Sequence, residues 1–213
     1  ETFMLQLLRG AGVKGLACMP EKKSFKQGQI VRPLLEEQQR GLVEYAKQYN
    51  LIWVEDPSNQ DIMFDRNYIR QEFFPLIEKR WPSYAKSMAR SAHHCAMSDQ
   101  LLTELAEEDY KETASVVSSV LPIEYLIKLS SARRYNLLRY WTRLNVSVLP
   151  DTKQLEEMNR IISSQDDTMP CLHFKGVEVR KYDRQLYIMP KLARHDVDQV
   201  ISWDLLGDLV LPN

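Results

Sequence analysis

Asp56-Pro57-Ser58-Asn59, followed by Asp65-Arg66-Asn67-Tyr68-Ile69-Arg70, is the stretch whose reading decides the fold. Pro57 fixes φ, and the short polar side chains around it bond to nearby backbone, so a turn is predicted. A helix follows, in which Arg66 and Arg70 lie one turn apart on one face. Two guanidiniums placed this way make a fork suited to phosphate or carboxylate. The alternative is an arginine face paired to acids of the same fold. Before this joint the chain alternates strand-like and helix-like pieces; after it come helices and then short strands.

Upstream, Glu1 to Arg9 reads as the end of a helix, with Phe3, Met4, Leu7 and Leu8 on its apolar face. It stops at Gly10. Three of the seven glycines fall between Gly10 and Gly15, next to Arg9 and Lys14. Such backbone can approach a phosphate closely, or can simply cap a helix and form a surface loop. The Gly-Lys-Ser/Thr ending of a Walker loop is missing. Residues 29–32 read as a short strand ended by Pro33, 36–49 as a helix with Leu42, Val43 and Ala46 inward, and 51–54 as a buried strand. This spacing predicts one αβ unit of a parallel sheet. Glu55 and Asp56 then sit at the carboxyl end of the second strand, the edge where open α/β sheets place ligands. Capping the turn is the other role open to Asp56.

Downstream, a helix over 66–80 is expected to break near Pro75. Trp81-Pro82 restarts the chain, and a long helix over 82–111 carries Met88, Ala92, Cys95, Leu102 and Leu105 at three- and four-residue spacing. His93 and His94 are adjacent on that helix, point about 100° apart, and read as surface residues. Helices over 123–128 and 132–144 follow a softer stretch at 115–120. On the second, Leu137, Leu138, Trp141 and Leu144 face one side, and Arg133, Asn136, Tyr140 and Arg143 the other. An arginine and tyrosine stripe can bond phosphates and stack on unpaired bases, or can be a solvated face. Pro150-Asp151-Thr152 starts the next helix, through Leu155, Met158 and Ile162. Residues 169–174, 177–182 and 185–189 alternate like strands, with Lys175-Gly176 and Asp183-Arg184 as turns.

Composition excludes more than it selects. At 44% apolar and 27% charged residues, the chain is an ordinary globular one, without bulk disorder. No apolar run is long enough to cross a bilayer, and no secretory signal opens the chain. The three cysteines, Cys18, Cys95 and Cys171, are too scattered to suggest a disulfide framework or a metal-ligand set. A reducing cytoplasm is expected. The formal net charge of -1 gives no overall attraction to nucleic acid, although a local basic surface would suffice. Residues 66–94 carry Arg66, Arg70, Lys79, Arg80, Lys86 and Arg90, and acids gather at 104–112. The chain begins with Glu1, already in helical sequence, and is expected to be a fragment of a longer polypeptide.

Three signals in order carry a resemblance. They are Glu1-Thr2 leading into Arg9-Gly10-Ala11-Gly12-Val13-Lys14-Gly15-Leu16; Arg32-Pro33-Leu34-Leu35; and Asp56-Pro57-Ser58-Asn59 with Arg66-Asn67-x-x-Arg70. The chain resembles the tRNA-Ile lysidine synthetases, a family of PP-loop ATP pyrophosphatases. That family adenylates the wobble cytidine of an isoleucine tRNA with ATP and Mg²⁺, then lets the amine of free L-lysine displace AMP. The resemblance implies that Glu1 and Thr2 close the His-x-x-Asp-Asp-Gln-x-Glu-Thr motif, with Glu1 accepting an ammonium group in the lysine pocket. It makes Arg9, Gly10 and Gly12 the Arg-Gly-x-Gly loop bordering the nucleotide, with Arg9 also catalytic. Asp56, Ser58 and Asn59 become the Asp-x-Ser/Thr-Asn turn, assigned to support of the site edge, and Arg66, Asn67 and Arg70 the Arg-Asn-x-x-Arg motif, assigned to tRNA contact, although either role is open to both motifs. Apart from the resemblance, the stripe opposite Leu137, Leu138 and Trp141 makes Arg133, Tyr140 and Arg143 the expected extension of the tRNA surface.

The fold class expected is α/β then mainly α: the C-terminal part of a Rossmann-like PP-loop domain, a helical domain, and terminal strands. The expected divisions are 1–80 for the catalytic part and linker, 81–192 for the tRNA-binding domain, and 193–213 for the start of another. The Ser-Gly-Gly-x-Asp-Ser loop and the paired aspartates do not occur in these residues, so the chain alone is expected to be inactive and to bind no metal. The partners implied are tRNA-Ile, ATP and free L-lysine, with no membrane and no obligatory protein partner. A tRNA-base thiolation enzyme of the PP-loop class and a non-enzymatic helical adaptor are the competing readings.

Overall fold

The computed structural model describes residues 1–113, 115, 117–146, 149–165 and 170–191. The chain divides into two compact units, Glu1–Leu101 and Leu102–Asn213. The expected unit over 193–213 lies outside the described residues.

The first unit is built from short elements. Helix α1 (Thr2–Leu8) is followed by α2 (Val13–Leu16), the antiparallel hairpin β1 (Lys22–Phe25) and β2 (Gly28–Val31), and α3 (Gln39–Gln48). A 3-10 turn (Pro57–Gln60) leads into α4 (Asp65–Tyr68), a π turn (Ile69–Phe73) and α5 (Phe74–Arg80). The expected break at Pro75 does not occur. Proline cannot donate to the helical ladder, and the wide π turn just ahead of it, closed by the Phe74 amide on the Ile69 carbonyl, carries the chain past it without a stop.

The expected parallel αβ unit does not close within these residues. Strand β2 pairs antiparallel with β1, and residues 51–54 form no strand. Ile52 is 98% exposed and Val54 94% exposed. A strand exists only where a neighbouring strand takes its backbone hydrogen bonds; here the Leu51 amide turns back to the Ala46 carbonyl at the end of α3, and no described strand pairs with 51–54. The inward face expected of α3 is likewise open, with Leu42 and Val43 exposed.

The long helix α6 (Tyr84–Glu112) follows, and the division between the units falls inside it. The second unit has the better core. Strand β3 (Val120–Pro122), helices α7 (Ile123–Lys128), α8 (Ser131–Asn145) and α9 (Thr152–Ser163), and strands β4 (Cys171–Phe174), β5 (Val177–Tyr182) and β6 (Gln185–Pro190) complete it. The strands form one antiparallel sheet in the order β3-β6-β5-β4. Leu121, Leu137, Trp141, Met158, Val179 and Leu186 are fully buried where α7, α8 and α9 meet this sheet. Removing such side chains from water is the main stabilisation, at about 1.5–3 kcal/mol for each Leu-sized group. Leu144, expected on the same face of α8, stays 48% exposed near the helix end.

Local chemistry sets the boundaries. Asp151 and Gln154 form a reciprocal capping box that starts α9. The two hairpin turns of the second unit's sheet place both central residues at positive φ: Lys175 at 49° and Gly176 at 85°, Asp183 at 44° and Arg184 at 57°. That geometry matches the right-handed twist of the flanking strands.

Candidate functional site

Glu1, immediately before α1, is the acid that the arginine fork holds. Arg70 Nε donates to Glu1 Oε1 at 2.6 Å and Arg70 Nη2 to Oε2 at 3.0 Å. Arg66 Nε lies 3.7 Å from Oε2. Arg70 occupies the π turn, where an extra residue per turn re-aims side chains, a device frequent at functional positions. Burial works to raise the Glu1 carboxyl, but the hydrogen bond and charge of Arg70, with smaller help from the Glu1 α-amino group and then Arg66, hold it below its ordinary value.

Beside this pair lies an open cleft of about 490 Å³, lined by Glu1, Arg70, Glu37, Phe74, Glu78 and Tyr84 among others. Three carboxylates face one guanidinium there, so the cleft suits a cationic group. Burial, then the charges of Glu78 and Glu1, push the Tyr84 hydroxyl upward and keep it a neutral donor. Glu37, Glu78 and Tyr84 escaped the sequence reading. They come from separate elements, and no local spacing links them.

The loop after α1 has a structural explanation. Gly10 at φ 69° ends the helix, with its amide on the Leu7 carbonyl and the Ala11 amide on Gln6. This is the Schellman arrangement, which glycine enters without steric cost. A Cβ on Gly10 or Gly12 would meet nothing within 4 Å, whereas one on Gly15 would lie 2.6 Å from Ala11 Cβ. Gly15 is therefore the glycine that packing requires. Arg9 Nη2 stands 3.5 Å from Asp65 Oδ2, both side chains well exposed. That contact is weak and leaves the guanidinium free to turn.

The turn at 56–61 is held from within. Asp56 Oδ1 accepts the Ser58 amide at 2.9 Å, and Ser58, through its backbone first, keeps the Asp56 carboxyl below its ordinary value. Asn67 is buried, and its amide donates to the Ser58 and Asp61 carbonyls, both at 2.8 Å. Gln71 Nε2 donates to the Asn59 carbonyl at 2.8 Å. Asn67 thus pins the turn to the helix, and its NH₂ has no hydrogen left for RNA.

In the second unit, Arg133, Tyr140 and Arg143 are in unlike surroundings. Arg133 donates through Nε and Nη2 to the fully buried Asp109, which also accepts from Tyr125 OH at 3.0 Å. Tyr140 is half-buried against Tyr110, ring centroids 5.9 Å apart. Arg143 is exposed, its guanidinium 5.5 Å from the centroid of the Tyr140 ring. The sequence reading missed Arg134, whose guanidinium closes the end of α7 through the Leu126 and Leu129 carbonyls and reaches Asn159 Oδ1 at 2.7 Å.

Comparison with known proteins places this geometry. A PP-loop domain matches residues 1–77, and a TilS substrate binding domain matches residues 121–187. The chain is 42% identical over its whole length to a tRNA(Ile)-lysidine synthase of Coxiella burnetii, covering 47% of that protein. Along its whole length the chain is thus similar to tRNA(Ile)-lysidine synthases. Proteins of the same name from Edwardsiella ictaluri and Serratia proteamaculans are each 39% identical over all of this chain, which covers 48% and 49% of them. The chain therefore spans about half the length of the curated relatives it matches. The fold is a PP-loop domain followed by a helical region and C-terminal strands. Among the described residues, no helix is long and apolar enough to cross a membrane.

Proposed function

We propose that this chain is part of a tRNA-Ile lysidine synthetase, a ligase that adenylates the wobble cytidine of an isoleucine tRNA and joins free L-lysine to it. The observation that carries the reading is the order of two domain matches on one chain, the second being a substrate-binding domain. The names of the relatives favour ligation over base thiolation or a non-enzymatic adaptor. Residues 1–80 supply the border of the catalytic site, and 81–192 the tRNA-binding domain. The setting is the cytoplasm, with no obligatory protein partner.

Within that reading Glu1, held by Arg70 and Arg66, orients the lysine ammonium with help from Glu37 and Glu78. Arg9 faces the charge that develops on the nucleotide, and Gly10 and Gly12 shape the loop that carries it. Asp56, Ser58 and Asn59 keep the site edge rigid, with Asn67 as their anchor. Arg66, Arg70, Arg143 and, more weakly, Arg133 and Tyr140 face tRNA.

These residues fit an ATP site only at its border: Arg9 is a cation, and the loop behind it is open. Mg²⁺ is part of the reading and prefers oxygen ligands, and among the described residues no three carboxylates bring their oxygens within 4.8 Å of one another. The nucleotide and its metal would supply the leaving group and its charge neutralisation; the work of this chain is to orient lysine and tRNA.

The test uses the longer protein that contains this chain. Glu1→Gln is expected to raise the KM for lysine about tenfold or more, while ATP-dependent pyrophosphate release persists. Equal loss of both steps would return Glu1 to a purely structural role. The 213-residue chain alone is expected to form no lysidine, and turnover by it would sink the division of labour described here.

A further inference from the structure

Cysteine spacing suggests no metal set, but the sheet builds one across two strands. On the edge strand β4, Cys171 and His173 are two residues apart and therefore share a face. On β5, Glu178 lies directly across from His173, and Arg180 across from Cys171. Cys171 Sγ lies 3.6 Å from His173 Nε2 and 4.0 Å from Nδ1. His173 Nδ1 is 3.2 Å from Glu178 Oε1. All three residues present ligand atoms within 4.8 Å of one another.

We propose that Cys171, His173 and Glu178 form a binding site for a zinc-class divalent transition ion that staples the edge strand β4 to β5. Tetrahedral bonds of about 2.0–2.3 Å place neighbouring ligand atoms roughly 3.3–3.6 Å apart, so small side-chain adjustments close the site. A thiolate, an imidazole and a carboxylate leave the fourth position for water, and the set suits Zn²⁺ and not Mg²⁺ or Ca²⁺. Glu178 is 2% exposed, so its position is set by the fold. Arg180 donates through Nε to Glu178 Oε2 at 2.8 Å and leaves Oε1 turned toward His173, the orienting role usual for groups behind a metal ligand. The His173 side chain is 55% exposed, which gives an ion a route from solvent.

The charges balance. The thiolate and carboxylate together neutralise the dication, and Arg180 remains outside the ligand set. Binding displaces the thiol proton to solvent, so about one proton leaves per metal when the imidazole is neutral.

The experiment is a titration of the chelator-treated protein with Co²⁺ alone, followed by displacement with Zn²⁺. Expected are one equivalent bound, a thiolate-to-cobalt charge-transfer band, loss of that band on adding Zn²⁺, and a higher melting temperature with Zn²⁺. Cys95→Ser, the control at another free cysteine, keeps the band. Cys171→Ser abolishes it. His173→Gln, at an exposed position, weakens binding at least tenfold while leaving the metal-free melt unchanged, and Arg180→Ala weakens it about 10- to 100-fold. Absence of a stoichiometric band in the parent protein overturns the proposal. So does a band that survives His173→Gln at full affinity, which would mark adventitious binding by thiol alone.

Discussion

Arg70 holds both oxygens of the Glu1 carboxylate, through Nε at 2.6 Å and Nη2 at 3.0 Å, across a sequence separation of 69 residues. A bidentate contact fixes orientation as well as charge, and lysine cannot imitate its fork. Arg70→Lys is therefore expected to keep most of the stability of the first unit while losing the alignment of Glu1. In the longer protein this reads as a raised KM for lysine with adenylation retained; an unchanged KM would leave Arg70 to stability or tRNA alone.

The same pair predicts a pH dependence. The Glu1 carboxyl is lowered from its ordinary 4.5, so its contribution is fully present above that value and is lost as pH falls through the lower, folded one. The difference in unfolding stability between the parent chain and Glu1→Gln is expected to be constant from neutral pH to about 5 and to shrink below it. Urea unfolding at stepped pH measures this, and a gap independent of pH would remove the ionic account.

Asp109 and Arg133 predict an asymmetry. Asp109 is fully buried, whereas the Arg133 side chain is 47% exposed. Arg133→Ala strands a buried carboxylate with only Tyr125 and is expected to be the more destabilising change. Asp109→Ala releases an arginine that can turn to water, at roughly 1–3 kcal/mol. The double variant is expected to be more stable than Arg133→Ala alone. A full double-mutant cycle by chemical denaturation checks the order.

Arg143 separates RNA contact from folding more cleanly than Arg133 does. Arg143→Ala is expected to change stability by under about 0.5 kcal/mol. It should lower the slope of log affinity for tRNA against log salt by about 1. Binding measured at several salt concentrations decides it; an unchanged slope with parental affinity takes this end of α8 out of the RNA interface.

Gly15 and Gly12 are predicted to part company. Gly15→Ala drives a Cβ to 2.6 Å from Ala11 Cβ and is expected to cost about 1–3 kcal/mol. Gly12→Ala meets open space and should fold within about 0.5 kcal/mol of the parent. Any loss of nucleotide binding by Gly12→Ala then reports on the loop's approach to phosphate. Thermal melts of the two variants provide the comparison.

Elements whose causes are local were legible in the amino-acid order. The turn after Asp56, the cap at Asp151, the hairpin turns at Lys175-Gly176 and Asp183-Arg184, and the inward face of Leu137, Leu138 and Trp141 all follow from dihedral preference and 3.6- or 2-residue periodicity. Motif order likewise carried the resemblance to lysidine synthetases, since its signals lie within the first 70 residues. Partner choice was not legible. Spacing offered Arg66 and Arg70 either a phosphate or an acid, and only the folded chain brought Glu1 to them. Residues 51–54 had the composition of a strand, but a strand is a relation between two segments, and no described neighbour pairs with it. The buried Asp109 under Arg133, and the Cys171–His173–Glu178 cluster on facing strands, arise the same way. Periodicity states which way a side chain points along its own element; what it meets there depends on long-range contacts that tertiary packing alone decides.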